Sequence, residues 1–172
     1  MLLPFEQGGL DSLCGIYSLV NAERIVNNTT IEGSQDLFKS IVEYLDEQEL
    51  LASILTGGML LKNIKAILVD VIGDRIPYRR LHFAGVPNPD LGTFWAEVRS
   101  FLDGSHKRAV LLGISGVHDH WTIVKDISEK QIQLFDSDCL CQLNRVNCTT
   151  AEERGGRHHV LYPAQTYFLG SA

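Results

Sequence analysis

The order of the predicted elements constrains the fold of this 172-residue chain most, because helical patterns dominate its first half and strand patterns its second. Apolar residues recur at helical spacing in four segments. The predicted helices cover residues 11–27, 34–51, 59–72 and 93–102. The predicted strands cover residues 78–83, 109–114, 120–127, 131–136 and 160–169. This order favours one α+β domain over residues 1–172, with helices packed on one side of an antiparallel sheet.

Turn and cap signals connect these segments. Asp11 or Ser12 can cap the first helix, Ser34 the second and Thr93 the fourth. The turn at 128–130 joins the strands on either side of it into a hairpin. Side chains near the open end of that hairpin are therefore expected to lie close together.

Composition excludes several classes of function. Hydrophobic residues make up 45% and charged residues 21% of the chain, as in ordinary globular proteins. The net charge of -6 argues against a nucleic-acid partner. Much of the acid excess lies in 36–49, where we expect a solvated helix face; the alternative is a docking face for a basic protein. The most apolar stretch, 50–72, contains Lys62, Lys65 and Asp70, so no membrane span is expected.

No secretory signal is recognisable, so we expect a cytoplasmic chain with reduced cysteines, although export without a cleaved signal would leave no trace. Cys139, Cys141 and Cys148 form a cluster that could supply three zinc ligands, with His158 or His159 as a fourth. Their spacing fits a structural zinc site poorly. We therefore expect small apolar residues in a loop, with no metal and no cofactor.

Cys14 follows a glycine-containing loop and lies where the first turn of a helix is predicted. The unpaired N–H groups and the dipole of a helix start stabilise a thiolate over a thiol. The same N–H groups can donate to an oxyanion that forms beside the sulfur, and a side-chain amide such as Gln7 could supply a second donor. The alternative is an inert core cysteine.

His120 opens a predicted strand directly after a loop that contains His118 and Asp119. An imidazole at the edge of a sheet can take the proton of a nearby thiol. The alternatives are a loop histidine without a role and a metal site formed with its two neighbours. Nothing else at metal-ligand spacing follows, so the base is favoured.

Asp136 ends the strand that pairs with the His120 strand in the predicted hairpin. A carboxylate there can accept the imidazole N–H, fix its tautomer and stabilise the imidazolium. Asp138 is the alternative partner, and an acid-rich turn without function is a third interpretation.

These residues together resemble the papain-like cysteine peptidase superfamily, especially the bacteriocin-processing peptidase-like branch and related bacterial effector hydrolases. The resemblance is carried by Gln7, by Asp11–Gly15, by His120–Val124 and by Phe135–Asp138. It implies a papain-like fold with Cys14 as nucleophile, His120 as base, Asp136 as orienting acid and Gln7 as oxyanion donor. The family usually places its glutamine one residue nearer the cysteine, and a bulge at Gly8 and Gly9 could absorb the difference.

A Cys-His-Asp triad performs acyl transfer on an amide. We therefore expect a cysteine hydrolase that cleaves a peptide or protein substrate. The alternatives are a protein glutamine deamidase or transglutaminase on the same fold, and a non-catalytic papain-like domain that binds a peptide or protein.

Overall fold

A computed structural model describes residues 2–85 and 88–171, and these form five α-helices and a seven-stranded sheet. The helices are α1 (Cys14–Asn27), α2 (Ile31–Glu47), α3 (Leu51–Gly57), α4 (Leu61–Ile67) and α5 (Leu91–Leu102). The strands are β1 (Tyr78–Leu81), β2 (Arg108–Gly116), β3 (His120–Ile127), β4 (Gln131–Leu134), β5 (Gln142–Asn144), β6 (Cys148–Thr149) and β7 (His159–Gly170). The predicted α+β class, with N-terminal helices and a C-terminal antiparallel sheet, is confirmed.

The strands lie in the order β1-β7-β2-β3-β4-β5, and every neighbouring pair in that order is antiparallel. The short β6 pairs in parallel with β7. The hairpin β3–β4 turns at residues 128–130, as predicted. The last of these strands along the chain thus lies inside the sheet, between the edge strand β1 and β2.

Two apolar layers cover the sheet, so the prediction that all helices pack on one side is wrong. One layer packs the four helices α1, α2, α3 and α4 against one face of the sheet, where it includes residues such as Leu111 and Ile123. The other joins α5 to the opposite face through Phe94, Trp95 and Val98. The unbroken apolar run 109–114 explains this arrangement, because a strand that is apolar on both faces needs cover on both.

The predicted helix starts are wrong in detail. Leu13 caps α1 without a side-chain bond, Thr30 caps α2, and Asp90 caps α5. Ser34 is buried inside α2, and Thr93 donates to Asp90 from inside α5. The predicted second helix also ends early, since the chain turns after Glu47 and restarts as α3.

The five predicted strands lie where expected, with bounds shifted by at most two residues. The short β5 and β6 were not predicted, since two or three residues carry too little periodicity. None of the helices in the described ranges combines the length and the apolar character that a bilayer crossing needs. The acidic side chains of segment 36–49 are exposed.

Candidate active site

Cys14 is the first residue of α1, and a short acidic loop fixes the entry to this helix. The Asp11 carboxylate accepts the N–H of Leu13 at 3.1 Å and the N–H of Gly8 at 2.8 Å. The first N–H groups of a helix have no partner within it. Cys14 therefore lies beside backbone donors that can stabilise a negative charge.

The segment after α3 packs directly on the start of α1. A β-carbon at Gly15 would lie 2.8 Å from the Met59 sulfur and 3.1 Å from its Cβ, so a larger residue there would push the Met59 side chain aside. The indole N–H of Trp121 donates to the Met59 carbonyl at 2.7 Å. The residue after His120 thus holds one wall of the cleft next to Cys14.

His120 is the first residue of β3, and its side chain is buried. Its Nε2 lies 2.8 Å from an oxygen of the Asp136 carboxylate. The Cys14 side chain lines the same cavity as this ring and is close enough to raise its pKa. Because Nε2 is engaged by Asp136, Nδ1 is the nitrogen left for the thiol. The structure therefore brings together the three residues that the sequence pattern selected.

The Asp136 carboxylate is held on both oxygens. One oxygen accepts from the Thr122 hydroxyl as well as from His120. The other accepts the backbone N–H groups of Asp138 at 2.8 Å and Leu140 at 3.2 Å. The side chain of Asp138 is exposed. Of the two acids that the sequence left open, Asp136 is the one beside the imidazole.

This geometry favours an ion pair. Burial acts to lower the pKa of His120, but the hydrogen bond and the charge of Asp136, together with the nearby Cys14 side chain, raise it to about 10. Burial likewise acts to raise the pKa of Asp136, but the bond to His120, the imidazolium charge, Thr122 and the Asp138 N–H lower it overall. At neutral pH an imidazolium therefore lies between a carboxylate and the Cys14 sulfur.

A cavity of about 270 Å³ opens beside Cys14 and His120. Its lining carries the Asp119 carboxylate and neither lysine nor arginine. The other lining residues are Gly57, Gly58, Met59, Leu60, Leu61, Ile114, Trp121, Tyr162 and Gln165. Tyr162 and Gln165 escaped the sequence analysis, since they come from the last strand and belong to no recognisable motif.

Gln7 lies at the edge of this arrangement. Its backbone N–H donates to the Ser137 carbonyl at 2.9 Å, which ties the loop before α1 to the residue after Asp136. Its buried side-chain oxygen has no hydrogen-bond partner among the described residues. It is not one of the cavity-lining residues, and its role as oxyanion donor stays a prediction.

Two of the other cysteines, Cys139 and Cys148, lie in unfavourable surroundings for a nucleophile. Burial raises the pKa of the Cys148 thiol to about 12. The charge of Glu6 raises the pKa of the exposed Cys139 thiol. Among the described residues no three His, Cys, Asp or Glu side chains are grouped as metal ligands.

His118 lies apart from the Cys14–His120 pair. Its ring stacks on that of His159 with centroids 5.9 Å apart. Of the two histidines in this part of the sequence, His120 alone bonds to Asp136.

Comparisons with protein-family models, with curated proteins and with solved structures found no match to this chain.

Proposed function

We propose that the chain is a papain-like cysteine hydrolase that cleaves an amide bond in a peptide or protein. The observation that carries this proposal is the buried His120 ring between the Asp136 carboxylate and the Cys14 side chain at the start of α1. An imidazole fixed between an acid and a thiol is the arrangement that activates a sulfur nucleophile.

In the first half-reaction the Cys14 thiolate attacks the carbonyl carbon and forms a C–S bond. The developing oxyanion is stabilised by the free N–H groups at the start of α1, with Gln7 as the proposed second donor. The C–N bond then breaks as the His120 imidazolium gives its proton to the leaving amine. Asp136 stays ionised and holds the ring in place.

In the second half-reaction His120, now neutral, takes a proton from water, and the resulting hydroxide attacks the thioester carbonyl. The C–S bond breaks, an acid leaves, and the thiolate–imidazolium pair is restored. The bonds of Asp136 to Thr122, Asp138 and Leu140 hold the ring orientation through both steps.

The size of the cavity favours glutamine deamidation as a second reaction. A volume of about 270 Å³ suits one side chain better than a run of peptide. The same steps on a glutamine carboxamide release ammonia, and an amine in place of water makes the reaction a transglutamination. A domain that only binds peptides is the remaining alternative.

Intact-mass spectrometry distinguishes these reactions. The chain, and a Cys14→Ser variant as control, are incubated with a mixture of peptides and folded proteins. We expect Cys14-dependent fragments, the product of a peptidase. A Cys14-dependent mass gain of about one dalton without fragments would assign deamidation instead. No change in any substrate would leave a binding domain and contradict the proposal.

The raised pKa of His120 predicts an unusual pH profile. The working form needs the imidazolium, so activity should persist into alkaline solution and fall as the pH rises through about 10. The ion pair stabilises the folded chain fully below pH 6.5, the ordinary pKa of histidine. This stabilisation is lost as the pH rises from 6.5 through about 10. The rate of substrate cleavage as a function of pH measures this limb.

Asp136→Asn should move that limb to lower pH, because both the hydrogen bond and the charge of Asp136 raise the pKa of His120. The rate should also fall by about 10²-fold or more, since the new amide group presents a donor to His120 Nε2 and favours the wrong tautomer. Asp138→Asn is the matched control, because only the backbone N–H of residue 138 contacts Asp136. If the alkaline fall in activity of Asp136→Asn stayed at the same pH, Asp136 would not be the group that raises the pKa of His120.

A further inference from the structure

A break in the pairing of β2 with β7 lies beside the proposed active site. Leu112 pairs with Thr166, but the next residue of β2, Gly113, pairs with Tyr162. Residues 163–165 of β7 therefore have no partner on β2. The Thr166 hydroxyl closes this bulge by donating to the Tyr162 carbonyl at 2.8 Å. Bulges next to active sites commonly redirect a side chain.

The side chain redirected here is that of Gln165, and the missing side chain of Gly113 makes room for it. A β-carbon at Gly113 would lie 2.4 Å from the Gln165 Oε1 and 3.0 Å from its Cβ. The glutamine therefore lies directly against the backbone of β2. An alanine at 113 would displace it.

This position brings the Gln165 carboxamide into the wall of the cavity that holds Cys14 and His120. No hydrogen bond from another described residue occupies the carboxamide. Its neighbour Tyr162, in contrast, is fixed by a bond of 2.7 Å between its hydroxyl and that of Ser115. The cavity lined by Cys14 and His120 thus also contains an amide without a hydrogen-bond partner among the described residues.

We propose that Gln165 is a substrate-binding residue, which rests on the proposed function. Its carboxamide offers a donor and an acceptor side by side, and a peptide group offers the complementary acceptor and donor. Gln165 hydrogen bonds the peptide group next to the amide that Cys14 attacks, and so holds the substrate in register. The substrate class is a polypeptide whose backbone is recognised close to the reacting carbonyl.

The test compares two reagents with the same reactive group. Acetyl-dialanyl chloromethyl ketone carries peptide groups, whereas chloroacetone carries none, and both alkylate a reactive thiolate. In Gln165→Ala the inactivation constant for the peptidyl reagent should fall by about tenfold, as expected for one or two lost hydrogen bonds. The constant for chloroacetone should stay unchanged. Gln142→Ala, an exposed glutamine on the far edge strand β5, is the matched control.

Gly113→Ala should produce the same selective loss, because the new β-carbon occupies the place of Gln165. In the Gln165→Ala background, Gly113→Ala should not lower the inactivation constant further, since both changes remove the same hydrogen bond to the substrate. Thermal unfolding of each variant checks that the fold is intact.

A third reagent, the peptidyl chloromethyl ketone with a methyl group on its backbone nitrogen, tests the same hydrogen bond from the side of the substrate. On the unaltered chain its inactivation constant should be lower than that of the unmethylated reagent by the same factor of about ten. On Gln165→Ala the two constants should be equal. Equal losses for the peptidyl reagent and chloroacetone in Gln165→Ala would make the residue structural and overturn the proposal. The proposal would also be overturned if Gln165→Ala changed neither inactivation constant, or if the unaltered chain reacted no faster with the peptidyl reagent than with chloroacetone. Failure of the proposed function gives a separate result, in which chloroacetone does not select Cys14.

Discussion

Replacing Cys14 with serine is expected to lower kcat/KM by about 10³-fold or more, because a serine hydroxyl is a much weaker nucleophile than a cysteine sulfur at the same position. The substitution changes one atom at a buried position and should leave the fold intact, which circular dichroism checks. The rate is measured on the substrate that mass spectrometry identifies. Cys139→Ser is the matched control, since this thiol is exposed and its pKa is raised by Glu6.

Brief alkylation with iodoacetamide at about pH 6 gives an independent measurement. The adduct should map to Cys14, because this is the thiol that lies beside the His120 ring and the N–H groups at the start of α1. Cys148, with its pKa raised to about 12, should stay unlabelled. Preferential labelling of Cys139 or Cys141 would contradict the assignment of Cys14 as nucleophile.

Replacing His120 with alanine should lower kcat by about 10²–10⁴-fold, the usual contribution of a positioned acid–base group. Two functions disappear together, since the same ring stabilises the thiolate and supplies the proton to the leaving amine. The variant should also lose the fast alkylation of Cys14 at mildly acidic pH. The two measurements together separate loss of chemistry from loss of substrate binding.

His118→Ala is the matched control for this variant. It removes a histidine from the loop that leads into β3, but its ring stacks on His159 rather than on the Cys14 side. Its activity should stay within about twofold of the unaltered chain. Full activity in a folded His120→Ala variant would refute the proposed mechanism.

The sequence indicated the candidate site residues where a chemically reactive side chain stands at the start or end of a recognisable helix or strand pattern. Cys14 follows a loop and precedes an amphipathic stretch, and His120 precedes a run of strand-forming residues. A hairpin with its turn at 128–130 then requires Asp136 to lie near His120. These deductions need only short-range periodicity, and the 2.8 Å contact between His120 and Asp136 agrees with them.

What the sequence could not reveal depends on contacts between distant segments. The approach of Met59 to Gly15 and the placement of Gln165 on Gly113 depend on how α3 and β7 pack, which no local pattern records. The second apolar layer, formed by α5, was missed for a related reason. The run 109–114 signalled burial but not which helix would cover each face.

The position of β7 has a consequence for how the chain acquires its structure. This strand follows the other six along the chain, yet it pairs with β1, β2 and β6, and its most distant partner, β1, lies back by about half of the chain that precedes β7. Until residues 159–170 have been synthesised, β1 therefore lacks its neighbouring strand, and β2 is exposed on the edge that does not face β3. Pairing of such distant segments slows folding and leaves strand edges open to aggregation. The hairpin that holds His120 and Asp136 can form earlier, because its two strands adjoin in the chain.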